Sequence, residues 1–317
     1  MRQLNLQAFL AANFEGRIRL MNRAHGARLW SHQLALMWTH VLDNLPAEGQ
    51  RDSPGRSRLL RELMALAPHS EAAEQAYQVW IGDNDRSSSL VPPPIVHLIV
   101  SCNKHEYKSK ASTRYSELSP YLKPIFILVG DESVTDAAFD AGILTVSASD
   151  HYEGLIGKVL EGLIAVRRKF GRVGVLKIDD DACFIAPPRH DQIVQLIAAT
   201  QYAGVVIGDN NFDRCWHVGK CASFSDEPYR RRYRGSWAAG PLYYLGPEAV
   251  ELLVREYLFY PGEFDGEIFE DKAIADILGY HGLKPTSRDL SSIFGIAGPF
   301  EGSFGDQPSA LGPLKMR

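Results

Sequence analysis

The sequence predicts an α/β fold in which a mainly parallel sheet follows an all-helical N-terminal region. Three observations support this prediction. Continuous apolar runs of strand length occur after Pro94, segments with helical spacing lie between them, and no convincing β pattern precedes residue 90. Strands that are buried on both faces appear as unbroken apolar runs, and their alternation with helices is typical of parallel sheets. With 317 residues, the chain has room for one large domain and an appendage.

Residues 1–88 are predicted to form a small helical domain. Apolar residues recur at helical spacing over residues 29–42 and 59–66, and a proline ends each stripe. The segment GDNDRSSSLVPPP (82–94) is rich in turn-forming residues and is typical of a linker. We therefore expect the second domain to span residues 95–317.

After residue 94 the sequence predicts strands in alternation with helices. The strands are expected at 95–101, 124–129, 143–147, 173–178, 203–208 and 242–245. The helices are expected at 152–170, 190–200, 247–258 and 270–280. In sheets of this kind the ligand lies beyond the carboxyl ends of the strands, which points to Ser101, Gly130 and Asp179.

Charge and apolar patterning exclude several classes of function. The 34 basic and 38 acidic residues give a formal net charge of −4, so no global electrostatic footprint argues for nucleic acid. No apolar run approaches the roughly 18–20 residues that span a bilayer. Polar residues interrupt the N-terminus where a signal peptide would need an apolar core. We therefore expect a soluble cytoplasmic enzyme.

The first sixty residues carry a local positive charge, with eight arginines against four acidic residues, a difference of +4. Such a surface allows at most a peripheral contact with anionic lipid at the inner face of a membrane. A solvated helical face is the alternative interpretation of the same arginines. The sequence favours that simpler interpretation.

Signatures of zinc and of phosphate loops are absent from the sequence. The four cysteines are too few for a disulfide scaffold, and Cys215 and Cys221 lack the second pair that a zinc site needs. Neither the GxxxxGK[ST] nor the GxGxxG pattern occurs. Phosphate binding through a glycine-rich loop is therefore not expected.

Three consecutive carboxylates, Asp179, Asp180 and Asp181, follow the predicted strand GVLKI directly. Their mutual repulsion at the end of a buried strand costs stability unless a cation is present, and a hard divalent ion prefers oxygen ligands. If the segment is extended, alternate residues point the same way, so Asp179 and Asp181 would face one metal together. A solvated acidic turn, or capping of the next element, is the alternative.

Four blocks of sequence follow one another in a fixed order. They are DHYEGLIGK at 150–158, KIDDDACF at 177–184, GPLYYLG at 240–246, and Glu270-Asp271 at the start of a helix. In this order the blocks resemble the motifs D-x-Y-x-N-L-T-x-K, K-x-DDD-V-F, GGGYVLS and EDV…LG of the β-1,3-galactosyltransferase and fringe family of glycosyltransferases. The resemblance covers about residues 95–290.

This resemblance implies a GT-A fold, that is, a Rossmann-like sheet that binds a nucleotide sugar. It implies transfer of a hexose or N-acetylhexosamine from a UDP-sugar, with inversion, to a hydroxyl of a glycan or lipid-linked saccharide. It also implies Mn²⁺ (or Mg²⁺) held by Asp179 and Asp181. Two departures stand out: the glycine triplet is reduced to Gly240, and the segment TSRDLSSIFGIAG contains no late histidine ligand.

The same resemblance assigns roles to single residues. Asp271 matches the position of the catalytic base, and Glu270 is the second candidate; stabilisation of a helix N-terminus is the alternative for both. The predicted nucleotide-sugar residues are Ser101, Arg114, Asp150, Lys158, Asp179, Asp180 and Gly240. Structural roles remain the alternatives for Arg114, Asp150 and Lys158. Lys177 is expected to pair with the acidic triplet and so to lower its cost.

The segment YRRRYRGSW (229–237) alternates arginines with aromatic residues, which suits stacking on sugar rings or gripping an anionic acceptor. A solvated loop is an equal alternative. Trp216 and Trp237 are candidate acceptor platforms, with core packing as the simpler assignment. Two other functions stay open: a different divalent-metal nucleotide enzyme (a nucleotidyltransferase or phosphohydrolase), and a degenerate glycan-binding module without catalysis.

Overall fold

The computed structural model describes residues 54–66, 68–69, 71–82, 94–102, 105–208, 215, 217–221, 228–229, 231, 233 and 235–297. The helices within these residues are α1 (Pro54–Leu66), α2 (Glu71–Gly82), α3 (His105–Leu118), α4 (Leu155–Phe170), α5 (His190–Ala199), α6 (Pro247–Phe259), α7 (Glu270–Tyr280) and α8 (Leu290–Phe294). The strands are β1 (Ile95–Val100), β2 (Ile125–Gly130), β3 (Ala138–Asp140), β4 (Ile143–Val146), β5 (Gly174–Asp179), β6 (Cys183–Phe184), β7 (Tyr202–Ile207), β8 (Trp237–Leu245), β9 (Thr286–Ser287) and β10 (Ile296–Ala297). Short 3₁₀ turns occur at Tyr152–Gly154 and Pro261–Phe264.

The described residues fall into two units. The first combines α1 and α2 with residues 256–263, and the second contains residues 94–255 and 264–297. In the first unit the Tyr77 ring packs edge-on against Phe259, with 5.8 Å between ring centroids. The helix predicted at 59–66 is confirmed by α1. The apolar stripe at 29–42 lies outside the described residues, and the predicted boundaries 1–88 and 95–317 remain a prediction.

The second unit is built on an eight-stranded sheet with the order β3-β4-β2-β1-β5-β8-β7-β9. The neighbours β4, β2, β1 and β5 run parallel, as do β7 and β9. β8 runs antiparallel to β5 and β7, and β3 runs antiparallel to β4. This arrangement confirms the predicted α/β class with a mainly parallel sheet, and it is consistent with a Rossmann-like GT-A fold.

The reversed direction of β8 decides which connections reach the end of β5. Ile207 at the end of β7 pairs with Trp237 at the start of β8. Because β8 is antiparallel to β5, this pair lies at the sheet edge where β5 ends at Asp179. The connection between β7 and β8 therefore leaves and rejoins the sheet at the edge that carries the acidic triplet.

β8 is longer than predicted, since it begins at Trp237 rather than Leu242. Pro241 made an earlier start improbable, because proline cannot donate to a sheet ladder. In the structure, the ladder between β5 and β8 ends at Leu242, and the pairing of β7 with β8 shifts between Gly204 and Val206. Pro241 thus lies in an interrupted part of the ladder, where its missing donor costs little.

The sheet is covered by helices whose apolar faces are buried against it. Gly162 of α4 lies so close to Leu128 of β2 that a Cβ atom there would come within 2.8 Å of the leucine Cδ2. The central strand β1 is buried along its whole length, as its unbroken apolar run predicts. Among the helices that the structure describes, none is both long enough and apolar enough to cross a membrane.

Candidate active site

The acidic triplet forms the turn that follows β5. Asp179 is the last residue of the strand and pairs with Val100 of β1. The Ala182 amide donates to the Asp179 carbonyl at 3.1 Å, which closes a turn with Asp180 and Asp181 at its centre. The expectation of an extended segment is therefore wrong, because the fully buried Ala182 draws the chain back into the core. The argument that alternate side chains point to one metal no longer applies here.

The three carboxylates have different surroundings. The Asp179 side chain is 31% exposed and accepts from Lys177 Nζ at 2.5 Å. Asp180 is buried and accepts from Ser101 Oγ at 2.8 Å, whereas Asp181 is exposed. Burial raises the pKa of Asp180 to about 6 against the Ser101 hydrogen bond, and the charges of Asp179 and Asp181 raise it further. The pKa of Asp181 is also raised, by partial desolvation and by Asp179. The turn thus holds more negative charge than its neighbours balance.

A second set of contacts ties Ser101 to the strand ends beside it. Lys158, buried on α4, donates from Nζ to the Ser101 carbonyl at 2.5 Å and to Asp150 Oδ1 at 2.9 Å. The same Asp150 oxygen accepts from the Gly130 amide at 3.0 Å. Lys158 and Asp150 therefore hold the ends of β1 and β2 together, next to the residue that donates to Asp180.

Lys177 lies at the centre of the site and is 2% exposed. In addition to Asp179, its ammonium donates to the Gly240 carbonyl of β8 at 2.5 Å and lies 4.0 Å from Glu270 Oε2. Burial lowers the pKa of this lysine, but Asp179 and Glu270 outweigh that effect and the net shift is upward. The expected pairing of Lys177 with the acidic triplet is confirmed at Asp179.

Asp271, in the first turn of α7, is held by backbone amides on both oxygens. Oδ2 accepts from the Gly240 amide at 3.0 Å, and Oδ1 accepts from the Lys272 amide at 2.9 Å. A Cβ atom on residue 240 would lie 3.3 Å from Asp271 Oδ2, so glycine permits this close approach. Burial raises the pKa of Asp271, while the charges of Lys272 and Lys177 and the two amide hydrogen bonds lower it.

Glu270 is more deeply enclosed than its neighbour, with 3% exposure against a half-buried Asp271. Its Oε1 atom accepts from the buried Tyr243 hydroxyl. Burial raises the pKa of Glu270 to about 7, opposed by Lys177 and supported by the charge of Asp271. The two adjacent carboxylates of α7 therefore differ in their access to a bound molecule.

Arg114 lies on α3 at the margin of this network. Its guanidinium pairs with Glu117 one turn further along the helix, and Nη2 lies 3.9 Å from Cys183 Sγ. The same thiol is 3.9 Å from the Asp181 carbonyl. Of the predicted site residues, Ser101, Asp150, Lys158, Asp179, Asp180, Gly240, Glu270 and Asp271 form direct contacts with one another or through Lys177. Arg114 and the Asp181 backbone meet through Cys183.

The sequence interpretation missed three residues of the site. Tyr243 holds Glu270, and it stands within the block at 240–246. Tyr152 lies within the block at 150–158; its pKa is raised by burial and then by the charges of Asp271, Cys221, Glu270 and Asp179. Lys110 is exposed on α3, and its charge acts on Asp180 and Asp181. Only its position one helical turn before Arg114 signals a shared face.

The described aromatic residues of the segment before β8 pack against neighbouring aromatic rings. Tyr229 and Tyr233 lie against Phe269, with 5.3 and 6.2 Å between centroids, and Arg231 pairs with Glu267 at 2.7 Å. Trp237 is 3% exposed, so core packing accounts for it. Trp216 and Arg230, Arg232 and Arg234 lie outside the described residues.

Lys272 projects into this aromatic cluster. Its ammonium lies 4.3 Å from the Phe269 ring centroid, 4.8 Å from that of Trp237 and 5.1 Å from that of Tyr233. Cation–π contacts of this kind help to hold a buried ammonium in place. The cluster therefore anchors the first turn of α7, where Asp271 lies.

The donors available to a metal are the carboxylate oxygens of the acidic turn. Across the described part of the chain, no three His, Cys, Asp or Glu side chains converge as a metal site. The carboxylate oxygens of Asp179 and Asp181, whose charge Lys177 offsets only in part, are donors that suit Mn²⁺ or Mg²⁺. The donor chemistry of these residues therefore fits a hard divalent ion.

No protein-family model and no curated protein matches the sequence. Among solved structures, the chain is similar to a protein from Bacillus anthracis assigned as a glucose-1-phosphate thymidylyltransferase in complex with sucrose (13% identity, TM-score 0.35, 61% of this chain and 87% of that chain). It is also similar to 4-diphosphocytidyl-2C-methyl-D-erythritol synthase from Anaerococcus prevotii (12%, 0.34, 63% and 91%). A third is mouse xyloside xylosyltransferase 1 in its apo form (10%, 0.30, 62% and 85%). These TM-scores are too low to establish a relationship.

Proposed function

We propose that this chain is a metal-dependent inverting glycosyltransferase. It transfers a hexose or N-acetylhexosamine from a UDP-sugar to a hydroxyl of a glycan or lipid-linked saccharide. The observation that carries the proposal is the connection of two acidic groups across the edge of one sheet: the turn after β5 and the first turn of α7 meet through Lys177 and Gly240. We assign the activity to residues 95–317.

The donor side of the proposed site is the turn at the carboxyl end of β5. Ligands of open α/β sheets bind beyond the carboxyl ends of strands, and Ser101 at the end of β1 lies against this turn through Asp180. In this proposal Ser101, Asp150, Lys158 and Asp180 shape the nucleotide pocket. The guanidinium of Arg114 lies near the same turn and binds the diphosphate in this proposal.

Asp179 and Asp181 are the residues that would hold the divalent ion. Their oxygens are the donor type that Mn²⁺ and Mg²⁺ prefer, and the charge of the turn is only partly offset by Lys177. When bound, such an ion neutralises the charge that develops on a departing diphosphate. A diphosphate leaving group needs this compensation because its negative charge grows as the bond to the sugar breaks.

Asp271 is better suited than Glu270 to act as the base. A base must touch the acceptor hydroxyl, and Asp271 is half-buried while Glu270 is 3% exposed and engaged with Tyr243. The two amide hydrogen bonds orient the Asp271 carboxylate without neutralising it. Its raised pKa also increases its affinity for a proton near neutral pH.

The proposed reaction is a single displacement at the anomeric carbon. The Asp271 carboxylate takes the proton of the acceptor hydroxyl while that oxygen forms a bond to the anomeric carbon. The bond between this carbon and the UDP oxygen breaks, and the electron pair leaves with UDP. Attack on the face opposite the leaving group inverts the configuration, which gives a β linkage from an α-linked donor.

A coupled assay tests the proposal against hydrolysis. The full chain is incubated with a panel of UDP-sugars, Mn²⁺ and simple saccharide acceptors, and UDP release is measured. We expect release that requires an acceptor and stops when the metal is chelated. Release without acceptor would indicate a phosphohydrolase, and binding of glycans without any UDP release would indicate a non-catalytic module.

The donor sugar is identified by thermal shift. A ligand that binds the native state raises the melting temperature, so the UDP-sugar with the largest metal-dependent shift is the preferred donor. UDP alone serves as the reference for the nucleotide contribution. Equal shifts with and without Mn²⁺ would contradict the metal part of the proposal.

A further inference from the structure

Lys177 is a buried cation placed between the two acidic groups of the site. Its side chain is 2% exposed and extends from β5, two residues before Asp179. Burying an ammonium is costly unless carboxylates or carbonyls surround it. Its position is therefore set by its partners, and those partners belong to three different elements.

The contacts of Lys177 divide between the two halves of the site. One contact, at 2.5 Å, is to Asp179 Oδ1 of the acidic turn. Two others lie on the opposite side: the Gly240 carbonyl at 2.5 Å and Glu270 Oε2 at 4.0 Å. The Gly240 amide in turn holds Asp271 at 3.0 Å. One ammonium thus reaches a proposed metal ligand, a neighbour of the proposed base, and the glycine that orients that base.

We propose that Lys177 is a positioning residue that competes with the metal for Asp179 and couples metal binding to the carboxylates of α7. This inference rests on the proposed function, because it requires a divalent ion at the acidic turn. Lys177 neutralises part of the charge of Asp179 and occupies Oδ1. Metal affinity is therefore set below what the bare carboxylates would give.

Through Lys177, Glu270 also influences the affinity of the acidic turn for the metal. Glu270 attracts the Lys177 ammonium and so reduces its hold on Asp179. Coupling between two binding events is reciprocal, so occupancy of the turn also changes the surroundings of Glu270. In this proposal, metal binding at the donor side is thereby coupled to the surroundings of Glu270 at the acceptor side.

The test measures Mn²⁺ binding to the full chain by calorimetry or by electron paramagnetic resonance of free Mn²⁺, with no donor present. We expect Lys177→Met to bind Mn²⁺ more tightly than wild type, on the order of tenfold, because it removes a contact charge from Asp179. At the same time, its kcat for transfer falls while its KM for the donor changes little. Mn²⁺ affinity equal to or below that of wild type would overturn the inference.

Lys110→Met is the matched control, since it removes the same charge from an exposed residue whose charge also acts on Asp180 and Asp181. Salt screens exposed charges far more than buried contacts. We expect its effect on Mn²⁺ affinity to be about twofold and to vanish in about 0.5 M KCl, while that of Lys177→Met persists. If salt changed the effects of both substitutions on Mn²⁺ affinity equally, Lys177 would act only as a distant charge, and the proposed contact role would be refuted.

Glu270→Gln provides an independent test if Lys177→Met fails to fold. Without the Glu270 charge the ammonium is held more strongly by Asp179, so we expect Mn²⁺ binding to weaken severalfold. Where Lys177→Met folds, the effect of Glu270→Gln should disappear in the double variant, because the coupling runs through Lys177. If wild type binds Mn²⁺ and Glu270→Gln binds it with the same affinity, only this inference is overturned. No Mn²⁺ binding by wild type would overturn both it and the metal part of the proposed function.

Discussion

The two acidic groups of the site both consist of carboxylates, but they differ in exposure to solvent and in hydrogen bonding. In the turn after β5, Asp181 is exposed and Asp179 is 31% exposed, and the charges of Asp179 and Asp181 raise the pKa of Asp180 between them. In the first turn of α7, Glu270 is buried and Asp271 is half-buried, and fixed donors hydrogen-bond to both carboxylates. The difference suggests that the turn is open to a cation, whereas the helix group is arranged to hold a proton.

Asp271→Asn is expected to give the largest change. The amide keeps the size of the side chain but cannot take the acceptor proton, so transfer should fall by about 10²–10⁴-fold. Donor binding should be retained. UDP-release kinetics and donor thermal shifts measure the two effects, and Asp276→Asn on the same helix is the control. Normal turnover by Asp271→Asn would remove the base assignment.

Asp181→Ala tests the other acidic group. Removing an exposed carboxylate of the turn should abolish the Mn²⁺-dependent part of donor binding, because too few oxygen donors remain for the ion. The stability of the protein should change little, since exposed substitutions usually cost less than about 0.5 kcal/mol. Thermal shift with UDP-sugar and Mn²⁺ measures both. Asp191→Ala, an exposed carboxylate at the start of α5, should retain the full shift; equal shifts in the two variants would speak against a metal site.

Gly240→Ala tests the helix group by displacing the Asp271 carboxylate. A Cβ atom would lie 3.3 Å from Asp271 Oδ2, so the carboxylate must shift by a few tenths of an ångström. We expect kcat to fall by roughly tenfold with unchanged donor binding, because small misplacements of a reacting group are costly. Gly279→Ala is the control, since a Cβ atom on that α7 residue meets nothing within 4 Å. A Gly240→Ala variant as active as the control would show that this contact does not orient the base.

Glu270→Gln should change the pH dependence of stability. The pKa of Glu270 is raised from 4.5 to about 7 in the folded state, so the folded protein binds more protons than the unfolded chain between these values. The contribution of Glu270 to the free energy of unfolding is therefore fully present below pH 4.5 and is lost as pH rises through 7. The melting temperature of the variant relative to wild type should increase by about 5 °C between pH 4.5 and 8. A constant difference across this range would contradict the raised pKa.

The fold was largely predictable because its signals are local. Unbroken apolar runs located β1, β2, β4 and β5, and the observed α7 has the predicted bounds. The start of β8 was missed because Pro241 suggests a break, and only the interrupted ladder shows why it is tolerated. The turn at Asp180 was only the alternative interpretation, because nothing in three aspartates distinguishes a turn from an extended segment.

The connections within the site were less predictable than its members. Lys177 reaches Gly240 and Glu270 only because β8 lies beside β5, with Lys177 opposite Tyr243. A pairing between strands that are 60 residues apart leaves no trace in local spacing. The roles of Tyr152 and Lys110 depend on the same long-range placement.

The reversed strand β8 has an evolutionary consequence. Its direction brings both ends of the connection 208–236 to the edge where Asp179 lies, while the sheet ladder itself begins at Trp237. Insertions and deletions in such a connection leave strand pairing intact. Under the proposed function, changes in this connection would alter the choice of acceptor without rebuilding the strands that carry the donor site.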